Sequence, residues 1–254
     1  MRLPSLPGLA LGLTMLAAGS ASAASFFEFR PVRDTTIVTS PAGDLSDARG
    51  TSLYIGRTAD ATQRALLAFD LSSIPAESTI VSASLTVTVT RQRTGGYEVP
   101  LHRLLADWGE GSSVGGDGGG GTSPTPGDAT WSHTFFDTAF WATPGGDFDP
   151  TPSAATILGP GAPVAFTWSS PGLVSDVQFW LDNPTLNFGW ILIGDESSAR
   201  TAKQLGSRES GLASLQPLLQ VEVAPIPEPS TLALLAAGLA GVAAATRRRR
   251  GPGQ

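Results

Sequence analysis

An antiparallel β-sandwich is the fold class this sequence predicts, on three observations. Several stretches alternate apolar and polar residues, turn formers (30 Gly and 20 Pro) separate them, and only one stretch has helical spacing. Taken in order, Ala65, Leu67, Phe69 and Leu71 line one face of an early strand. Ser72-Ser73-Ile74-Pro75 then turns the chain, because Pro75 cannot donate to a ladder. The next strand is expected to begin near Thr79 and to form a hairpin-like pair with the first. Val81 to Thr90 alternates without a break and points Val81, Ala83, Leu85, Val87 and Val89 at the core. Val164, Phe166 and Trp168 repeat the pattern, as do Leu219, Val221 and Val223.

Leu173, Val177, Trp180 and Leu181 recur at helical spacing, and Asn183-Pro184 stops them. Trp190-Ile191-Leu192-Ile193, between Gly189 and Gly194, is apolar on both faces and reads as a central strand. Two segments read as loops. Gly109 to Gly127 contains Gly118-Gly119-Gly120-Gly121 but lacks the lysine and hydroxyl of a phosphate cradle, so a flexible insertion is expected. Pro144 to Pro163 is a second Pro- and Gly-rich stretch.

The two ends carry addresses. Arg2, the apolar Leu9 to Ala18 and Ala21-Ser22-Ala23 form a secretory signal peptide over residues 1–23, cut after Ala23. At the other end Pro227-Glu228-Pro229 precedes an apolar run, Leu232 to Ala245, and then Arg247, Arg248, Arg249 and Arg250. The prolines keep the backbone extended, the apolar run can enter a bilayer, and the arginines hold its far end in the cytoplasm. A bilayer core of about 30 Å needs about 20 apolar residues. The stretch from Ser230 to Thr246 therefore reads as a marginal, disposable anchor. The expected organisation is a signal peptide (1–23), a β-domain (24–223), a linker (224–229), a transmembrane sorting helix (230–246) and a basic cytoplasmic tail (247–254). This ending resembles the PEP-CTERM sorting tail of Gram-negative bacteria. The resemblance implies recognition by an exosortase-type membrane enzyme, transient anchoring in the inner membrane, and delivery to the envelope or extracellular matrix.

Composition narrows what the body can do. There are no cysteines, which excludes disulfides, thiolate metal sites and a cysteine nucleophile. With Arg2, the four tail arginines and Glu228 set aside, 11 basic and 21 acidic residues leave a net charge of −10. Such a surface is expected to repel nucleic acid, with no basic patch interrupting it. Acidic polysaccharide is expected to be repelled too, unless a divalent cation bridges the two.

The body carries a second resemblance. Asp34-Thr35-Thr36, then Arg64 to Pro75 with its Phe69-Asp70-Leu71-Ser72-Ser73-Ile74-Pro75 block, then Ile80 to Leu85 follow one another. Trp108-Gly109-Glu110, Ala129-Thr130-Trp131, Trp141 with Gly145-Gly146-Asp147, Asn187 to Trp190, Ser207-Arg208-Glu209 and Pro217 to Val221 complete the order. This resembles the DNRLRE-type domain of secreted bacterial and archaeal proteins over nearly all of Asp34 to Val223, without the hexapeptide that names the family. It implies a jelly-roll sandwich, with carbohydrate binding in some members.

Signals for chemistry are thin. His102 and His133 have no metal-ligand spacing, and no nucleophile elbow supports a triad from His133, Asp137 and a serine. Asp107 with Glu110, or Asp195 with Glu196, could serve as paired carboxylates for glycoside cleavage. Sugar rings stack on exposed aromatics, and Trp108, Trp131 and Trp141 border the loops among polar neighbours, so these three are the expected glycan surface. Asp147 and Asp149 could offer hard oxygens to calcium, the one cofactor considered. The leading expectation is a non-enzymatic, exported protein that binds glycan. The alternatives are a glycan-cleaving enzyme (lyase or glycosidase) of the same fold and an inert structural matrix protein.

Overall fold

The computed structural model describes residues 24–41, 43–93, 95–224 and 236–243. Ala24–Ala224 forms one compact unit. Its strands in chain order are β1 (Ser25–Phe29), β2 (Arg33–Ser40), β3 (Gly43–Asp47), β4 (Ser52–Arg57), β5 (Thr62–Ala68), β6 (Ile80–Gln92) and β7 (Tyr97–Arg103). The short β8 (His133–Phe135) and β9 (Ala139–Phe140) follow, then β10 (Ala154–Leu158) and β11 (Val164–Ser169). The helix α1 (Pro171–Asp182) precedes β12 (Trp190–Ile193), β13 (Lys203–Gly206) and β14 (Leu218–Val223). Every ladder is antiparallel, and all the strands except β8 and β9 belong to one curled sheet.

The curl is carried by β4. Ser52 to Ile55 pair with β13, and then Gly56 and Arg57 pair with β5. Gly56 has φ +91, a conformation that costs any residue with a Cβ, and it lies where the strand changes partner. One half of the sheet holds β6 with β11 on one side and β14 and β13 end to end on the other. The other half centres on β5 and β12, flanked by β2 and β7. One core draws on both halves: Leu85, Val87, Leu219 and Val221 from the first, Ala65, Leu67, Val99, Leu101, Trp190 and Leu192 from the second.

The helix closes this core. Ser170 caps it by accepting the Leu173 amide (3.1 Å), Pro171 opens it, and Leu173, Val177 and Trp180 are buried against the sheet. Trp190 lies between α1 and β5, edge-on to Trp180 (4.4 Å) and Phe69 (5.9 Å).

Three expectations require correction. β5 and β6 are not a hairpin: β5 bonds to β2, β4 and β12, whereas β6 lies in the other half, so the Ser72–Pro75 segment is a crossover with Ile74 buried in the core. Val81 faces outward at 52% exposure, because the β6–β14 register shifts between Glu222 and Val223 and hands its inward place to Ile80. One extra residue in a strand reverses the alternation beyond it. The glycine-rich segment, expected as a flexible insertion, is tied down instead, Thr122 exchanging backbone hydrogen bonds with Ser46 of β3 and Gly115 donating to Asp47 (2.7 Å). With its flanks, from Leu104 to Trp141, it forms a cover over β2, β5 and β12. Beneath it Ile37, Leu66, Ala68 and Ile191 meet Leu104, Trp108, Ala129 and Trp141 in a second core. Buried Asp128 gathers the cover by accepting from the backbone amides of Ser112 (3.0 Å) and Thr125 (2.6 Å).

The expected signal peptide (1–23), the Pro227-Glu228-Pro229 signature and the Arg247–Arg250 cluster lie outside the described residues. Of the expected transmembrane segment 230–246, residues 236–243 are described and helical, and the rest is outside them. Among the described residues no helix is long and apolar enough to cross a membrane.

Candidate functional site

The expected tryptophan surface does not form. Trp108 is fully buried, its indole N–H donating to the Phe188 carbonyl (2.8 Å) and its ring covered by the Arg33 guanidinium at 4.6 Å. Trp141 is 4% exposed and donates to the Thr130 carbonyl (2.9 Å). Trp131 is half-buried beneath Arg64, whose guanidinium lies 4.6 Å from its ring. Two of the three indoles are covered by arginines distant in sequence, Arg33 on Trp108 and Arg64 on Trp131.

The expected calcium pair separates into two turns. Asp147 accepts from the Ala142 and Thr143 amides (both 2.8 Å), while Asp149 accepts from the Thr151 amide (2.9 Å) and faces Arg103 at 3.5 Å. The histidines are engaged too. His102 Nδ1 lies 2.8 Å from the Asp149 carbonyl, and His133 Nδ1 lies 3.0 Å from the Thr130 hydroxyl rather than on Asp137. Of the acids considered for cleavage, Asp107 pairs with Arg33 (2.5 Å) and Glu196 accepts both Nε and Nη2 of Arg64 (2.7 and 2.9 Å). Asp195 accepts the Ser197 amide (2.9 Å).

Glu110 belongs to a larger cluster. Asp34 from β2, Glu110 from the cover, and Arg208 and Glu209 after β13 converge, each acid bringing a carboxylate oxygen within 4.8 Å of the others. Arg208 grips Glu110 through Nε (2.8 Å) and Nη2 (2.6 Å), and its Nη2 also reaches Glu209 at 3.0 Å. Arg49 approaches Glu110 at 3.2 Å, and the Asp34 amide donates to the same carboxylate (2.8 Å).

Within this cluster, Asp34 Oδ1 and Glu209 Oε2 are left buried without a donor among the described residues. Two oxygens cannot replace the 6–8 that calcium takes, whereas one proton between them satisfies both and balances three acids against two arginines. Burial, together with the charges of Glu209 and Glu110, pushes the Asp34 carboxyl well above the usual range, against the Arg208 amide that donates to it. Burial raises Glu209 as well, opposed mainly by the Arg208 charge. Asp34, Glu110, Arg208 and Glu209 clamp the cover and the β13–β14 loop onto β2.

Cations gather elsewhere. A cleft of about 480 Å³ is lined by Tyr54 of β4, Thr58 and Ala59 after it, Arg91 and Gln92 of β6, and Arg93. Gly118 of the cover, Arg200, Ala202, Lys203 and Gln204 complete the lining, with no acid among them. The ladder fixes the arrangement: Arg91, Gln204 and Tyr54 form one row across β6, β13 and β4, and Gln92, Lys203 and Ile55 form the next.

Arg91, Arg93 and Arg200 are exposed, and none of the four cations has an ion pair among the described residues. Lys203 is buried, donating to Gln92 Oε1 and to the Gly95 carbonyl (3.3 Å), with its ammonium 4.6 Å from the Tyr97 ring. Burial pulls its pKa below the ordinary lysine value. Tyr54 is held from the other side, its hydroxyl accepting the Gly118 amide at 3.1 Å. Guanidinium forks, an amide and a phenol around one opening can bind carboxylate or sulfate groups on a polar chain.

What lies beyond the body decides where this cleft is used. Residues 225–250 match the PEP-CTERM protein-sorting motif. The PEP-CTERM tail marks an exported protein, processed by an exosortase-type membrane enzyme and transiently anchored before release to the envelope or extracellular space. Its match spans the Pro227-Glu228-Pro229 signature and the four arginines from Arg247 to Arg250. No curated protein matches the chain in sequence.

The cleft went unseen in the sequence because Arg91 and Arg93 lie more than a hundred residues from Arg200 and Lys203. Only the Arg91-Gln92-Arg93 alternation at a strand end hinted at it. The expectation that no basic patch interrupts the acidic body therefore fails in three dimensions, although it holds along the chain.

Proposed function

We propose that the β-domain is a non-enzymatic binding module, carried by an exosortase-sorted protein, that holds an acidic polysaccharide of the envelope or extracellular matrix. One observation carries this reading. Among the described residues, four of the body's 11 basic residues line one cleft without ion-pair partners and with no acid in its lining, on a chain that is otherwise strongly acidic. Unpaired cations held together repel one another, and an anionic ligand relieves that repulsion. The resemblance of Asp34–Val223 to DNRLRE-type domains implies a jelly-roll sandwich, with carbohydrate binding in some members, and the curled antiparallel sheet is consistent with the fold part of that reading. Against the enzyme reading, the carboxylates considered for glycoside cleavage are engaged by arginines or backbone amides.

The test is titration of the full chain with a polyuronate and with a neutral glucan, followed by analysis of the polymer. Polyuronate is expected to bind and the neutral glucan not. Arg91→Ala with Arg200→Ala should weaken binding at least about tenfold, or 1.4 kcal/mol, with the thermal midpoint unchanged, because both side chains are exposed and unpaired. Equal affinity for the neutral polymer would defeat the acidic-ligand reading. Shortened chains in the product would defeat the non-enzymatic one.

A further inference from the structure

The ladder places the cleft and the two processing junctions at opposite ends of one strand. β6 is 13 residues long. At its start Ile80 pairs with Val223, Val223 pairs with Ser25, and the Ala224 amide donates to the Thr79 carbonyl (2.8 Å). Ala24 and Ala224, where the body meets the signal peptide and the sorting tail, are thus neighbours at that end. At the other end Gln92 pairs with Lys203, and Arg91 and Arg93 enter the cleft. At about 3.3 Å per residue, roughly 40 Å of strand separates the junctions from the cleft.

Removing either segment leaves this arrangement alone. The five β1–β14 pairs, from Ser25 with Val223 to Phe29 with Leu219, lie wholly inside the body. Among the described residues, no lining residue comes from the β1–β14 pair.

We propose that the cleft engages its anionic polymer at the pole opposite the attachment point, so that the anchored precursor binds as well as the processed protein. This rests on the acidic-polysaccharide reading above and adds that binding is independent of maturation. Carboxylate and phosphate groups share the chemistry the arginines recognise, so an anionic lipid headgroup is the competing source of ligand. A tether joined at the opposite pole favours the polymer.

The experiment compares polyuronate binding by the full chain in neutral phosphatidylcholine vesicles with that of the tail-free protein recovered from exporting cells. Dissociation constants agreeing within about twofold are expected, with no competition from vesicles containing phosphatidylglycerol. A loss of tenfold or more in the vesicle-held form overturns the inference and leaves the binding reading standing. Competition by phosphatidylglycerol overturns the choice of polymer. Absence of polyuronate binding in both forms overturns the acidic-polysaccharide reading and this inference with it.

Discussion

Asp34 shows how a conspicuous residue can be structural. It is 1% exposed and keeps one carboxylate oxygen without a donor. Its pKa is raised, so the folded state binds a proton more tightly than the unfolded chain does. The associated stability is full below the ordinary carboxylate pKa and is lost as pH rises through the folded value. Asp34→Asn keeps an acceptor for the Arg208 amide and supplies an N–H to Glu209 Oε2 at every pH. Urea unfolding of both proteins from about pH 4 to pH 8 should therefore show the variant gaining on the parent as pH rises. A difference constant over that range would remove the shared proton. Sequence alone marked Asp34, Arg208 and Glu209 without a role and offered Glu110 only as a cleavage carboxylate beside Asp107, because a role here depends on which oxygens are left unpaired after three distant segments meet.

At the scale of elements, periodicity was legible wherever one face is buried and the other wet. The helix at Leu173–Leu181, the central strand at Trp190–Ile193, and the inward faces of Ala65–Leu71 and Leu219–Val223 follow from spacing alone. Parity failed at Val81, where a bulge that no alternation can announce moves Ile80 inward. Pairing failed between β5 and β6, since a turn sequence does not say whether the next strand returns beside the first. The larger misreading was the cover: its glycines resemble a linker, yet Trp108 and Trp141 anchor it on the outer face of β5 and β12. That gives Trp108 a structural duty which can be separated from ligand binding. Trp108→Phe preserves most of the apolar contact but orphans the Phe188 carbonyl, at a cost of about 1–3 kcal/mol. The thermal midpoint should fall by several degrees while polyuronate affinity stays within about twofold. Lost affinity in a fully folded variant would return the indole to the binding surface.

At the scale of the whole molecule, a body of net charge −10 carries a cleft lined by four cations, and the two act on an approaching polyanion at different ranges. The acidic surface acts across tens of ångströms when the Debye length is about 30 Å, at 0.01 M salt, but little beyond about 8 Å at 0.15 M. The cleft acts at contact, where guanidinium and carboxylate meet within hydrogen-bonding distance and screening matters less. Raising salt from 0.01 to 0.15 M should therefore speed association with a long polyuronate, by removing the repulsion before weakening the contact. Higher salt should then weaken binding, as counterions compete for the polymer. A short oligouronate sees less of the acidic surface and should show less of the initial rise. Surface-immobilised protein and stopped-flow fluorescence can each follow the rates. Association fastest at the lowest salt for both lengths would mean that the cleft's field dominates the approach, and that the acidic exterior plays no part in selecting what reaches it.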